Sequence, residues 1–138
     1  MRTFYIFKIN KEMAILTKDA PYNMFKSMEQ IYKLDKKDFG IGLRMFEQIA
    51  VPIDNKKINK YLFEKFKTND YYTKYRNIHK INNKYKPEET KLIVNNIYLI
   101  LKSNIIKPLF LKSLNYDSNL FACDFENKDY FWLDSLSI

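Results

Sequence analysis

Apolar and polar positions along this chain change period several times, and each change predicts an element. Residues 3–9 are dense in aromatic and β-branched side chains and read as a buried first strand. Asn10 then caps a short helix over residues 11–17 that presents Met13, Ile15 and Leu16. Asp19 and Pro21 mark a second helix start, with Pro21 in the first turn, where its missing N–H matters little. Met24, Phe25, Met28, Ile31 and Tyr32 follow at helical spacing, so residues 20–32 form that helix. Residues 33–38 read as a charged loop and Gly40 and Gly42 as breaks, with one or two helical turns over residues 43–49. The chain should extend at Val51-Pro52. Asp54 is a plausible cap for a helix over residues 55–67, striped by Ile58, Leu62, Phe63 and Phe66.

The second half is strand-rich. Residues 71–81 read as a strand and residues 82–87 as a loop. Residues 89–94 and 97–102 form a hairpin around Asn95-Asn96, since asparagine tolerates positive φ in a tight turn. Residues 106–114 suit another helix with Pro108 in its first turn. Residues 119–125 and 130–133 make a last hairpin that turns through residues 126–129. Strands and helices do not alternate strictly, and two hairpins are visible. The expectation is an α+β fold: one domain over residues 1–138, with a mostly antiparallel sheet of about five to six strands and helices packed on it.

Composition supports a packed core. Of 138 residues, 46% are hydrophobic and 17% aromatic, while Gly 2 and Pro 4 leave little material for linkers. The single cysteine, Cys123, sits in an apolar stretch, which fits a reducing cytoplasm. Lys8 and Lys11 interrupt the amino-terminal apolar residues, so no signal peptide is read. The apolar run over residues 97–101 is too short to span a bilayer.

The formal charge is +8, which raises nucleic acid as a partner. Residues 56–91 carry eleven Lys and Arg against four acids, a net +7, with Tyr61, Tyr71, Tyr72, Tyr75 and Tyr85 interleaved. Residues 117–138 carry one Lys against five acids, a net −4. Lysine with stacking tyrosine is one way to hold a single nucleic-acid strand. Against it, Lys, Asn, Ile, Tyr and Phe share A/T-rich codons, and arginine, the favoured residue for phosphate forks, occurs only at Arg2, Arg44 and Arg76. Core tyrosines and solubilising lysines are therefore the leading reading of the segment, with single-strand binding the alternative.

No catalytic set emerges. His79 is the only histidine, is expected to face solvent, and has no serine or cysteine partner in a nucleophile motif. One Cys and one His cannot make a zinc site, and the two glycines match neither a dinucleotide fingerprint nor a phosphate loop. Asp124, Glu126, Asp129 and Asp134 could gather a cation or act as acid and base, but hairpin turns are commonly acidic because they are solvated, and that reading leads. No metal and no cofactor is implied. Met13, Leu16, Met24 and Met28 cluster early; such a stripe is either core or an adaptable docking surface.

Three stretches together resemble the sporulation inhibitor of replication family, SirA. The first runs from Phe4-Tyr5-Ile6-Phe7 through Asn10-Lys11-Glu12-Met13-Ala14 and on without gaps to Met24-Phe25. The second is Glu47-Gln48-Ile49-Ala50-Val51-Pro52-Ile53. The third, and most specific, is Leu120-Phe121-Ala122-Cys123-Asp124-Phe125 followed by a turn and Tyr130-Phe131-Trp132-Leu133. The resemblance implies a cytoplasmic, non-enzymatic regulator that binds the N-terminal domain of the replication initiator DnaA and blocks new rounds of replication. The family's docking surface lies on helices between the first strand and the Gln-x-x-x-Pro segment, which at matching positions points to Met13, Thr17, Met45 and Gln48, with Leu16 beside them. The chain carries Met13 and Thr17 where large aromatics are expected on that docking helix. This surface predicts exposed apolar side chains on the early helices; the nucleic-acid alternative predicts exposed tyrosines and lysines of residues 56–91 on one face.

Overall fold

The computed structural model describes residues 1–106, 108–114 and 119–135. One antiparallel sheet of eight strands organises them. In chain order the elements are β1 (Arg2–Ile9), α1 (Lys11–Thr17), α2 (Pro21–Tyr32), a 3-10 turn (Lys36–Asp38), α3 (Phe39–Ile49), β2 (Ala50–Val51), α4 (Asn55–Phe66), β3 (Tyr72–Tyr75), β4 (Ile78–Asn83), β5 (Glu88–Val94), β6 (Leu99–Ser103), α5 (Leu109–Ser113), β7 (Leu120–Asp124), β8 (Asp129–Trp132) and a 3-10 turn (Leu133–Ser135). The strand order is β3-β4-β5-β6-β1-β7-β8. Lys8 pairs with Leu120 of β7 on one edge of β1 and with Val51 of β2 on the other, so β2 continues the edge that β6 leaves. The α+β, antiparallel expectation holds, with more strands than five to six. Two were hidden: β2 is only two residues long, and residues 71–81 are two strands joined at Arg76, whose φ of 55° makes the reversal.

Period-two alternation divides β1 between two cores. Phe4 and Ile6 point to a core built with Ile58, Leu62 and Phe66 of α4 and Phe110 and Leu111 of α5. Phe7 and Ile9 point the other way, to Ala14 of α1, Met24, Phe25 and Met28 of α2, and Ile49 of α3. β7 divides likewise: Leu120 and Ala122 to the first core, Phe121 and Cys123 to the second. That makes all five β7 residues buried and explains the continuous apolar run that drew attention in the sequence.

Local chemistry sets the helix ends. Asn10 Oδ1 accepts from the Met13 N–H at 2.8 Å, and Asp54 Oδ1 from the Lys57 N–H at 3.2 Å, as expected of caps. At α2 the cap position falls to Ala20, not Asp19, and Pro21 opens the helix. Gly40 and Gly42 lie inside α3 and do not break it. A Cβ on Gly42 would come within 3.1 Å of Leu34 Cδ1, so this glycine lets the α2–α3 connection pass close to the helix. α5 is shorter than residues 106–114, with Pro108 just outside it as the cap. The last turn falls one residue earlier than predicted, over Phe125 to Lys128, with Lys128 at φ 54°.

Candidate functional site

The helices on the second core carry the surface on which the sequence placed its site. Asn10 binds α1 to α3: its N–H donates to Ile49 O at 2.9 Å, and its side-chain Nδ2 donates to Gln48 O at 2.8 Å. One asparagine thus caps α1 and satisfies two carbonyls at the end of α3, where helix carbonyls lack intrahelical partners. Met13 and Phe46 both pack partly against the second core. Gln48 is exposed and Met45 is half-buried. Leu16 is 73% exposed and Ile15 79%. Thr17 is buried, and its hydroxyl donates to Met13 O at 2.6 Å, so it seats α1 and does not face outward. Met24 and Met28 are fully buried, which assigns those two methionines to the core.

Sequence reasoning missed the other end of α3. Phe39, Ile41 and Leu43 are exposed, Phe39 at 71%. Their signal was present as apolar residues around two glycines, but the glycines were read as breakers. Between this end of α3, α2 and the sheet lies an apolar cavity of about 420 Å³, bounded by Tyr5, Phe7, Met28, Tyr32, Phe46 and Tyr98.

The alternative sites come apart on inspection. The lysines of α4 lie on the first-core side of the sheet, whereas Lys80 and Lys91 alternate to the opposite side from Ile81 and Leu92. The basic segment is therefore split between two sides of the sheet and is not one surface. Tyr61 and Tyr72 pack against the first core; Tyr71, Tyr75 and Tyr85 remain exposed.

His79, expected to face solvent, is completely buried. It lies on β4 between Ile78 and Lys80, so its neighbours in sequence point out while it points in. Asn59 Oδ1 can only accept, so Nε2 donates to it at 2.7 Å, and in the neutral ring Nδ1 then accepts from Tyr72 OH at 2.7 Å. Burial, helped by Lys74, brings the imidazole pKa down to about 4, and burial pushes the Tyr72 phenol up to about 12. This is a satisfied internal network without access to a substrate.

The acidic hairpin is also structural. Asp124 is buried, not a solvated turn residue. Arg2 Nε donates to Asp124 at 2.9 Å and Arg2 Nη2 to Asp129 at 2.7 Å, so one guanidinium bridges the two paired residues at the turn end of β7 and β8. Burial raises the Asp124 pKa, but the hydrogen bonds from Asn127 and Arg2 outweigh it and hold the carboxyl below the usual range. Glu126 is exposed and Asp134 pairs with Lys18 at 2.6 Å, so the four acids do not converge. Among the described residues no group of three or more His, Cys, Asp or Glu is placed to hold a metal ion. Burial likewise raises the Cys123 thiol well above its ordinary value, which keeps it protonated and unreactive. No helix among the described residues is long and apolar enough to cross a membrane.

Of the positions that the family resemblance singled out, Leu16 and Gln48 are exposed, Met13 and Met45 are half-buried, and Thr17 is buried. The family model described as sporulation inhibitor of replication protein SirA matches residues 2–137, nearly the whole chain, and the chain belongs to that family. No curated protein matches it.

Proposed function

We propose that this SirA-family chain binds the N-terminal domain of the replication initiator DnaA through α1 and α3, and inhibits initiation of chromosome replication by doing so, without catalysis. One observation carries the reading: two helices joined at Asn10 leave Ile15 and Leu16 exposed on α1 and Phe39 and Ile41 exposed on α3, large apolar side chains of the kind that interaction surfaces use. Leu16 and Ile15 supply the apolar anchor. Gln48 supplies hydrogen bonds at its edge. Met13 and Met45, unbranched and polarizable, adapt to the partner's contour. Thr17 acts indirectly, by seating α1. This division of labour suits a chain that lacks the family's large aromatics on α1: the anchor moves to aliphatic side chains.

Calorimetric titration of the full chain with the DnaA N-terminal domain of the same host tests this. Binding at roughly micromolar or tighter is expected, weakened at least about tenfold by Leu16→Glu, whose exposed position leaves the fold intact. Absence of binding by the wild-type chain, or an unchanged affinity for Leu16→Glu and Gln48→Ala, rejects the assignment.

A further inference from the structure

Among the described residues, helices cover both faces of the sheet around β1 and β7, but only one face of β3 to β6. On the uncovered face the antiparallel register aligns side chains in rows across the strands. Thr73, Lys80, Lys91, Lys102 and Thr3 form one row; Tyr75, Ile78, Ile93, Ile100 and Tyr5 form the next. The second row emerges from under the helix layer, where Tyr5 meets Tyr32 at 5.6 Å, and ends at Tyr75, 67% exposed. Its three isoleucines are half-buried, so each keeps apolar surface in contact with water.

The lysine row is unusual on electrostatic grounds. Like charges directly opposite one another across strands repel. Lys80 and Lys102 are exposed and Lys91 half-buried, and none of the three has an ion-pair partner among the described residues. Glu89, one row further on, is the one acid among the strand residues on this face. The fold therefore leaves three cations aligned beside an aliphatic stripe, and an occupant with acids beside apolar groups would relieve both.

Spacing decides what kind of occupant. Neighbouring strands lie about 4.8 Å apart, so the three lysines span about 10 Å. Helix residues at i, i+4 and i+7 share a face and span about 10.5 Å, with neighbours about 5–6 Å apart. An extended segment repeats a face only every 6.8 Å or so, and its acids would drift out of step. A single nucleic-acid strand would look for aromatic platforms and arginine; these rows offer isoleucines, one well-exposed tyrosine and no arginine. We propose that the open face of β3 to β6 receives an acidic amphipathic helix of a protein partner, its acids along Lys80, Lys91 and Lys102 and its apolar stripe along Ile78, Ile93 and Ile100. The surface is separate from Leu16 and Gln48, so it can be occupied whether or not the α1–α3 reading holds.

The test is a nuclear magnetic resonance titration of the ¹⁵N-labelled full chain at low salt. The probes are a synthetic helical peptide with Glu at i, i+4 and i+7 beside a Leu stripe, a scrambled peptide of the same composition, and an oligothymidylate. Expected are shifts of the amides of Ile78, Lys80, Lys91, Ile93, Ile100 and Lys102 with the striped peptide only. A Lys80→Glu/Lys102→Glu double variant, shown folded by circular dichroism, should bind it about tenfold or more weakly. No shift on this face, equal shifts with the scrambled peptide, preference for the oligothymidylate, or self-association of the chain through this face each overturns the proposal. Retained binding of the same double variant to the DnaA domain would show the two surfaces to be independent.

Discussion

The two halves of the sheet are built to different rules. Around β1, β7 and β8 the strands are sandwiched between helices, and apolar side chains dominate both faces; Phe121 and Ala122, adjacent in sequence, are both fully buried on opposite sides. Across β3 to β6 the described helices cover only one face, so Ile81 and Leu92 are core while Lys80 and Lys91, next to them in sequence, are not. The same backbone ladder therefore supports a rigid structural half and a half with an unfilled face. The difference teaches where function can reside: a doubly covered strand has no free surface, whereas the open half keeps one without giving up its core.

The largest effect should separate the halves by stability. Phe121→Ala, in the doubly covered half, is expected to lower the unfolding free energy by about 3–5 kcal/mol, whereas Ile93→Ala, half-exposed, should lower it by about 1–2 kcal/mol. Urea unfolding of both variants measures this; equal losses would erase the distinction.

The covered face of the open half can be probed by pH. The folded chain keeps His79 neutral down to about pH 4, while the unfolded chain protonates it near 6.5. Between those values the unfolded state binds the extra proton, so stability falls as pH drops through the window and is unaffected by this group above it. The expected loss is about 3 kcal/mol. It should disappear from the difference curve of a His79→Gln variant; parallel curves for the two proteins would mean that the imidazole is not buried in this network.

The smallest effect belongs to the uncovered face. Lys91→Thr removes the middle charge of the lysine row and should stabilise the isolated chain by a few tenths of a kcal/mol, with a correspondingly small rise in Tm that shrinks in high salt. A fall in Tm would show that the row is already neutralised within the chain.

Much of the fold was legible because its signals are local. Asn10 and Asp54 cap where polar side chains before apolar runs must cap, and the alternation within β1 reports two buried faces. Other features were illegible because their cause is distant in sequence. Gly42 looks like a breaker until Leu34 is seen to occupy the space of its missing Cβ. His79 sits among lysines in the sequence, yet its partners are Tyr72 on the adjacent strand and Asn59 on α4. Asp124 reads as a turn acid until Arg2, from the far end of the chain, is placed against it. Of the candidate site, Leu16 and Gln48 could be read as surface, but the inward turn of Thr17 and the contribution of Phe39 and Ile41 could not, since helical periodicity gives spacing and not the direction of the core.

By itself the sequence determined the α+β class, the antiparallel hairpins, most helix starts and the absence of a recognised catalytic motif, because periodicity, caps and turn residues act within a few positions of one another. Tertiary structure alone decided which side of each strand is covered, which ionised groups are paired, and which apolar side chains stay in water. Those are properties of packing between segments as far apart as Arg2 and Asp129, and burial, unlike helical or strand period, has no meaning until such segments meet.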